Sequence, residues 1–134
     1  MAFTLSTAHF SLEIDGIDCS EVREVRGFAL YSADSERARS AYDRTFTTEL
    51  TIVRRWTDTD FVSWLQEMKS GERALKNGRL SFITPDGEVI VSFRLERIFP
   101  IEWHGPAIRS GDAWAGSETA TEEVLLAVEA ISEE

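Results

Sequence analysis

The side chains of this sequence that could perform catalysis or bind a metal are few and scattered. His9 and His104 are its two imidazoles, and neither has a cysteine or carboxylate at the helical spacing of a metal site. The nearest carboxylate is Glu102, two residues before His104. For acyl transfer, Cys19 or Ser20 would need a base and an orienting group from elsewhere in the chain. The pattern therefore predicts no catalytic residue, no metal site and no cofactor, and hence a protein that is not an enzyme.

Two other sets of residues offer chemistry. Asp58 and Asp60 could form an acid-base carboxylate pair, but they also stand in the first turn of a predicted helix, where negative charge stabilises the dipole. The helical interpretation explains both. Aromatic side chains could instead bind sugars, and Trp56 and Trp114 are the two tryptophans that no predicted element uses. A monomeric β-sandwich module that binds carbohydrate or protein is therefore an alternative function.

Composition limits the class of protein. A chain of 134 residues with 43% apolar residues predicts a single domain across residues 1–134. The net charge of -10 disfavours a free-standing nucleic-acid binder, because phosphates require clustered lysine and arginine. Cys19 has no partner for an internal disulfide, and no apolar run reaches the ~20 residues of a membrane span. We expect a protein made and folded in the cytosol.

Residues 45–71 hold the clearest structural pattern, a strand followed by a helix. Alternation over residues 45–52 predicts a strand that buries Phe46, Thr48, Leu50 and Ile52 and is ended by Arg54 and Arg55. Thr57 is the predicted helix cap, and Gly71 the left-handed stop. The apolar stripe of this helix is Phe61, Trp64, Leu65 and Met68, and its polar face is Ser63, Gln66, Glu67 and Lys69. One amphipathic helix should therefore pack on a sheet.

The remaining strands are predicted on both sides of this unit. Alternation over residues 10–14 ends at an Asp15-Gly16 turn, and a second strand runs from a bulge near Glu24 to Leu30, with a close approach at Gly27. Residues 72–78 read as a polar connection. Leu80 and Phe82 start a hairpin that turns at residues 85–87. Its second strand places Val89, Val91, Phe93 and Leu95 on one face and Glu88, Ile90, Ser92, Arg94, Glu96 and Ile98 on the other.

Three stretches give weaker signals. Pro100 should interrupt the chain before an extended segment at residues 101–103, and a glycine-rich loop follows over residues 105–117. Residues 121–131 combine helix-forming composition with strand-like alternation, so local pattern leaves both open. Residues 32–43 are a long excursion in which charged residues dominate and no apolar periodicity is present, and such loops are often contact sites.

In this order and spacing the motifs resemble the inner tube proteins of contractile phage tails and of phage-tail-like contractile injection systems. They are LEIDGI at 12–17, EVRGF at 24–28, LTIVR at 50–54 leading into TDTD at 57–60, PDGE at 85–88, FPIEWHGP at 99–106 and EEVLL at 122–126. The resemblance implies a mainly β fold, a small two-sheet β barrel or sandwich with one helix packed outside. It also implies that residues 121–131 form a strand.

The function implied by the resemblance is structural. Such subunits form hexameric rings that stack into a hollow tube, surrounded by a sheath protein, attached to a baseplate and conducting protein effectors or DNA. A baseplate-proximal paralogue that initiates the tube is a second alternative. Members usually carry a Gly and Pro rich segment where residues 31–44 are charged, and often a histidine near Val128 and Glu129.

Three sets of residues follow as candidate contact sites. The charged loop would stack one ring on the next through Asp34, Glu36, Arg37, Arg39 and Asp43. Mixed polar faces of two strands would line the lumen through Thr47, Glu49, Thr51, Ser92, Arg94 and Glu96. The polar helix face would point outward toward the sheath through Ser63, Gln66, Glu67 and Lys69.

Overall fold

The computed structural model describes residues 9–30, 48–106 and 120–134. These residues form β1 (Phe10–Ile14), β2 (Val22–Arg26), β3 (Thr48–Arg55), α1 (Asp60–Lys69), β4 (Lys76–Ile83), β5 (Val89–His104) and β6 (Thr121–Glu133). The strands make one six-stranded antiparallel sheet in the order β1-β4-β5-β6-β3-β2. The expected mainly β fold with a packed helix is confirmed, and the sheet curves into a nearly closed barrel.

The core lies inside this curved sheet. Leu12 of β1, Ile52 of β3, Ile98 of β5 and Val124 of β6 share one apolar cluster with Trp64 of the helix. Because β1 lies at one edge of the sheet and β3 next to the other edge, the sheet must wrap around that cluster. The residues predicted for the buried face of β3 are buried where the structure describes them, at Thr48, Leu50 and Ile52. Phe46 lies outside the described residues.

The helix begins later than predicted. Its N-cap is Thr59, whose side chain makes no capping hydrogen bond, and the amide of Asp60 donates to Asp58 Oδ1 at 2.9 Å. The prediction that Thr57 caps the helix is therefore wrong. The carboxylate of Asp58 takes that role because Arg54 also binds it and holds it beside the first turn.

The helix ends as the sequence predicts. Gly71 has a φ of 94°, its amide donates to the Met68 carbonyl at 3.2 Å, and the amide of Glu72 donates to the Glu67 carbonyl at 3.2 Å. This pair of bonds is a Schellman motif, which needs the left-handed conformation that glycine adopts without cost. The apolar stripe is also confirmed at Phe61 and Trp64, which are fully buried, while Leu65 and Met68 are half-buried.

The second strand is shorter than expected. A register shift between Val22 and Glu24 confirms the predicted bulge, but β2 ends at Arg26 instead of continuing to Leu30. Gly27 ends the strand, because its φ of 86° turns the chain away from the ladder. A Cβ on Gly27 would lie 2.7 Å from the carbonyl oxygen of Glu49, which confirms the close approach.

Gly27→Ala should therefore destabilise the protein more than the same change at Gly87. Both glycines have positive φ, near 86° and 91°, so both variants incur the cost of about 1–2 kcal/mol for a left-handed alanine. Gly87 has no atom within 4 Å of a built Cβ, whereas Gly27 meets the backbone of β3. Thermal unfolding of the two variants measures the difference, and equal midpoints would show that the contact with Glu49 is relaxed at no cost.

The hairpin of β4 and β5 is confirmed. The amide of Gly87 donates to the Thr84 carbonyl at 2.9 Å, and the amide of Thr84 donates to the Glu88 carbonyl at 2.8 Å, which closes the turn around Pro85. The first strand begins earlier than predicted, at Lys76, so residues 76–78 are not a polar connection. They are strand because β5 pairs with Lys76 and Gly78, and β1 pairs with Gly78 on the other side.

Strand β5 passes through Pro100 without a break, so the predicted interruption is wrong. Pro100 is opposite Leu126, and a bulge follows between Pro100 and Glu102. A second irregularity lies at Arg97, which has a φ of 55° and is skipped in the register with β4. These bulges let the strand bend around the core.

The bulge at Arg97 also changes which residues are buried. Phe93 and Leu95 are buried as predicted, but Ile98, predicted on the opposite face, is fully buried as well. Val89, predicted on the buried face, is 61% exposed because it lies beside the turn. A simple alternation across the whole strand was therefore a wrong expectation.

The C-terminal segment is the strand implied by the family resemblance. Strand β6 pairs with β3 on one side and β5 on the other, and Glu122, Val124, Leu126 and Val128 face inward.

The Asp15-Gly16 turn after β1 is also present, with the amide of Ile17 donating to the Ile14 carbonyl at 3.0 Å. The charged loop at 32–43 and most of the loop at 105–117 lie outside the described residues. Within the described part of the chain, the helix is too short and polar to cross a membrane.

Candidate assembly surfaces

A buried ionic cluster joins the sheet to the helix. Arg54, the fourth inward-facing residue of β3, has no exposed surface, and its guanidinium binds Glu122 Oε2 at 2.8 Å through Nε and Asp58 Oδ1 at 2.7 Å. It also donates to the Asp18 carbonyl at 2.9 Å and lies over the ring of Phe61. One side chain thus connects β3, β6, the turn before β2 and the start of the helix.

The hydrogen bonds of Arg54 stabilise the charged form of its guanidinium. Burial lowers its pKa, but the hydrogen bonds to Asp58 and Glu122 outweigh that effect, so the pKa lies above its ordinary value. The second oxygen of Glu122 accepts a hydrogen bond from Trp103 Nε1 at 2.7 Å. The sequence prediction missed this cluster, although the alternation Thr48, Leu50, Ile52 already placed the next even position, Arg54, on the buried face.

The structure does not bring the side chains considered for catalysis together into one site within the described residues. Burial raises the pKa of the Cys19 thiol to about 11, so the sulfur is protonated and poorly nucleophilic near pH 7. His104 Nε2 and Glu102 Oε2 are 3.0 Å apart on the exposed surface. Within residues 9–30, 48–106 and 120–134, no three His, Cys, Asp or Glu side chains are grouped to hold a metal ion. Asp58 and Asp60 are side by side at the helix start, where Asp58 caps and binds Arg54.

The candidate lumen residues lie on the face of the sheet opposite the core. Glu49 is exposed and Thr51 half-buried, and they alternate with the buried Leu50 and Ile52. Arg94 and Glu96 are on the same face of β5, with Arg94 Nε and Glu96 Oε1 3.4 Å apart. Strand β6 lies between these two strands. Thr47 is outside the described residues, and a lumen-lining role for the others stays a prediction.

The same face carries further polar contacts that the sequence prediction did not include. Ser92 Oγ is 2.8 Å from Ser81 Oγ on the neighbouring strand. Arg79 binds the terminal Glu134 side chain at 2.8 Å, and this hydrogen bond lowers the pKa of the Glu134 carboxyl. Arg26 binds Glu123 at 2.9 Å across the other end of the face. Cross-strand ion pairs therefore cover much of this surface.

The structure describes the predicted sheath-facing residues of the helix but not the predicted stacking residues of the charged loop. The polar helix residues Ser63, Gln66, Glu67 and Lys69 are all exposed, so they are available for contact, and an outer sheath stays their predicted partner. The predicted stacking residues Asp34, Glu36, Arg37, Arg39 and Asp43 lie outside the described residues.

The two edge strands of the sheet, β1 and β2, offer backbone surfaces for assembly. Within the described residues, β1 has a ladder only with β4, apart from a single bridge between Ile14 and Ile17, and β2 has a ladder only with β3. Each strand therefore presents a row of backbone donors and acceptors on its outer side, which is the usual template for strand addition.

The tryptophans considered for sugar binding are partly used by the fold. Trp56 is 40% exposed and contacts Trp103 edge to face, with ring centroids 5.8 Å apart. Trp103 donates its indole hydrogen to Glu122, so its orientation serves the buried cluster. Trp114 lies outside the described residues.

Comparison with known proteins gives one family and several similar structures. The family model described as T4-like virus tail tube protein gp19 matches residues 6–132. A search of curated proteins gave no match. One similar solved chain comes from the sheath-tube complex of an extracellular contractile injection system, PVC, in the extended state. It has 14% identity and a TM-score of 0.70, and the match covers 98% of this chain and 92% of that chain.

Two further structures are similar. A chain of the anti-feeding prophage cap, a tube terminating cap, has 14% identity and a TM-score of 0.68 over 100% of this chain and 93% of that chain. Hcp1 from Flavobacterium johnsoniae has 18% identity and a TM-score of 0.59 over 93% of this chain and 94% of that chain. At these identities the structures establish a shared fold.

Proposed function

The chain belongs to the T4-like virus tail tube protein family, and from this premise we propose that it is a structural subunit of the hollow inner tube of a contractile injection system or contractile phage tail. The observation that carries the proposal is the family match over residues 6–132. The barrel-like sheet supports it, because within the described residues the outer sides of its edge strands β1 and β2 have no ladder partner. Tube building requires repeated contacts and no chemistry, so the protein acts without a catalytic site or cofactor.

Ring closure is the first step of the proposed assembly. The outer sides of β1 and β2 carry unpaired ladder positions within the described residues, and pairing between neighbouring subunits would satisfy them. Because β1 of one subunit would pair with β2 of the next, the contact is head to tail. It closes a ring when the rotation between neighbouring subunits is 360° divided by a whole number. We propose a ring of six subunits, with the whole of residues 1–134 acting as one domain.

Stacking and transport follow from the remaining surfaces. The charged loop with Glu36, Arg37 and Arg39 would join one ring to the next by complementary charge. Glu49, Arg94 and Glu96 would line the bore, and with a chain charge of -10 the bore would be net negative. A negative wall repels phosphates and acidic protein surfaces, which limits adhesion of DNA or protein cargo during passage.

Contacts outside the tube are proposed for the helix. Its exposed residues, including Gln66 and Glu67, would face a surrounding sheath protein, and one end of the tube would attach to a baseplate. The similar chains supporting this arrangement come from structures described as a sheath-tube complex, a tube terminating cap and a baseplate. The protein would therefore be a component of an injection particle or a phage tail.

Electron microscopy at low and high salt tests this function. We expect stacked rings at low salt and separate rings at high salt, because the Debye length falls to ~3 Å at 1 M and exposed charges are then screened. Backbone pairing within the ring should persist. Deletion of residues 35–40 should also leave separate rings.

Two outcomes would contradict parts of the proposal. A protein that stays monomeric at every concentration would rule out the tube function as a whole. Tubes that are insensitive both to salt and to the deletion of residues 35–40 would rule out stacking by the charged loop.

A further inference from the structure

A fully buried arginine is bound by two carboxylates that differ in their exposure. The side chains of Arg54 and Glu122 have no exposed surface, whereas the side chain of Asp58 is 31% exposed. Arg54 Nη2 lies 2.7 Å from Asp58 Oδ1 and 2.7 Å from Glu122 Oε2. The three groups carry one positive and two negative charges. Because burial disfavours a charge that is not neutralised, uptake of one proton would leave a neutral pair in the interior.

Three neighbouring groups are not the site of that proton. Burial lowers the pKa of Arg54, but its hydrogen bonds to the two carboxylates outweigh burial and raise that pKa above its ordinary value, so the guanidinium stays charged. Burial raises the pKa of the Cys19 thiol to about 11, so this group is already protonated at neutral pH. Hydrogen bonds from Ser20 lower the pKa of the Asp18 carboxyl, which therefore stays ionised longer as the pH falls.

Of the two carboxylates that bind Arg54, Asp58 is the one that solvent reaches. Glu122 accepts hydrogen bonds on both of its oxygens, from Arg54 Nε at 2.8 Å and from Trp103 Nε1 at 2.7 Å. Protonation of Glu122 would therefore place a hydroxyl in a fully buried site between two donors. The side chain of Asp58 is partly exposed, so water can solvate its protonated form. These contacts favour Asp58 as the group that binds the proton.

The charged form of Asp58 fixes the start of helix α1. Its Oδ1 accepts a hydrogen bond from the Asp60 amide at 2.9 Å and binds Arg54 at 2.7 Å. The guanidinium of Arg54 also lies 4.6 Å from the centre of the Phe61 ring, so it contacts the first helical turn at two points. The carboxylate in addition places negative charge at the helix N-terminus, where it stabilises the dipole. The attachment of the first turn to the sheet thus depends in part on the ionisation of Asp58.

We propose that protonation of Asp58 loosens the first turn of α1 from the barrel, while the pair of Arg54 and Glu122 keeps the sheet intact. A proton from the solvent binds a carboxylate oxygen of Asp58, and the net charge of the three groups goes from one negative charge to zero. The ion pair with Arg54 then becomes a weaker hydrogen bond to a neutral acid. Because only the ionised form makes the ion pair, the loosened state gains population as the pH falls and loses it again as the pH rises. This conformational change concerns a single subunit and does not depend on the proposed tube function.

Hydrogen exchange of the full chain measures the opening of the helix. Asp58→Asn has the shape of the protonated aspartate and keeps an oxygen that can accept from the Asp60 amide, but it carries no charge. At neutral pH we expect the amides of residues 60–69 to exchange about tenfold faster or more in this variant, because a charged hydrogen bond is lost. Those of residues 121–133 should be unchanged. Asp60→Asn is the matched control, since it removes the same charge from the same turn and Asp60 is not one of the two acids paired with Arg54. Its helix amides should exchange less than about fivefold faster.

A pH titration provides the second measurement. Aspartate carboxyls ordinarily gain a proton at about pH 4, so exchange of the unmodified chain is followed from neutral pH into this range and corrected for the intrinsic pH dependence of amide exchange. The helix amides should open at a higher pH than the amides of β6. In Asp58→Asn, whose side chain does not titrate, helix exchange should stay at its raised level over the range in which the unmodified helix accelerates.

Three results would overturn the inference. Equal or absent effects of Asp58→Asn and Asp60→Asn would show that the contact with Arg54 does not hold the first turn. Helix and β6 amides that accelerate together in acid would show that the buried ionic cluster breaks as one unit. Acid acceleration of the helix that persists in Asp58→Asn would place the proton on another group. A protein that stays monomeric and gives the expected exchange would support this inference and contradict the tube function, so the two can fail separately.

Discussion

Arg54→Leu should lower the free energy of unfolding by roughly 3–5 kcal/mol, the cost of leaving a buried carboxylate without its partner. The side chains of Arg54 and Glu122 are both fully buried, and Arg54 also holds Asp58 at the start of the helix. Arg55→Leu is the matched control, since Arg55 is the next residue of β3 and is exposed. Thermal unfolding should show a fall of about 10–20 °C for the first variant and little change for the second.

A double variant distinguishes lost charge pairing from lost packing. Adding Glu122→Gln to Arg54→Leu removes the orphaned charge and keeps a carbonyl oxygen as acceptor for Trp103 Nε1. We therefore expect the double variant to be more stable than Arg54→Leu alone, with a coupling energy measurable by a double-mutant cycle. A double variant that is less stable than either single variant, or an Arg54→Leu midpoint equal to that of Arg55→Leu, would show that the cluster does not stabilise the fold in this way.

Trp64→Ala should be similarly destabilising, by roughly 3–5 kcal/mol, because it removes the largest side chain of the core. Trp64 is 1% exposed, stacks with Phe61 at a centroid distance of 6.4 Å and donates its indole hydrogen to the Ala74 carbonyl. Without it, the helix loses the larger of its two fully buried side chains, and the connection to β4 loses a hydrogen bond. Urea unfolding of the purified variant measures the loss.

Two variants make this result specific to the buried face of the helix. Glu67→Ala lies on the exposed face of the same helix and should change stability by less than about 0.5 kcal/mol. Trp64→Phe keeps most of the apolar volume but leaves the Ala74 carbonyl without its donor, so its stability should fall between the other two. Equal unfolding midpoints for Trp64→Ala and Glu67→Ala would show that the assignment of helix faces is wrong.

The proposed tube contacts and these stability effects are linked through the same cluster. Trp103 contacts Trp56 at the surface and Glu122 in the interior, and Glu122 binds Arg54 beneath the helix. A variant that disrupts Arg54 therefore also disturbs the orientation of Trp103 beside Trp56. Assembly should therefore be measured with substitutions of exposed residues that leave this cluster intact.

The elements whose signals are local could be predicted from the sequence. The alternation of β3, the turn at Pro85, the apolar stripe of Phe61 and Trp64 and the stop at Gly71 all depend on residues within a few positions of each other. For the same reason the motif order was enough to indicate the family. Residues 32–43 and 107–119 lie outside the described structure, so their predicted roles stay predictions.

The features that depend on distant partners became apparent only in the folded structure. Residues 121–133 are a strand because β3 and β5 supply ladders on both sides, and those hydrogen bonds outweigh helix propensities of a few tenths of a kcal/mol per residue. Strand β5 continues through Pro100 because its bulges bend it around the core. Arg54 can be buried because Glu122, 68 positions away, and Asp58 neutralise it. Pairings this distant leave no local pattern, since the energy that stabilises them exists only once the sheet has closed.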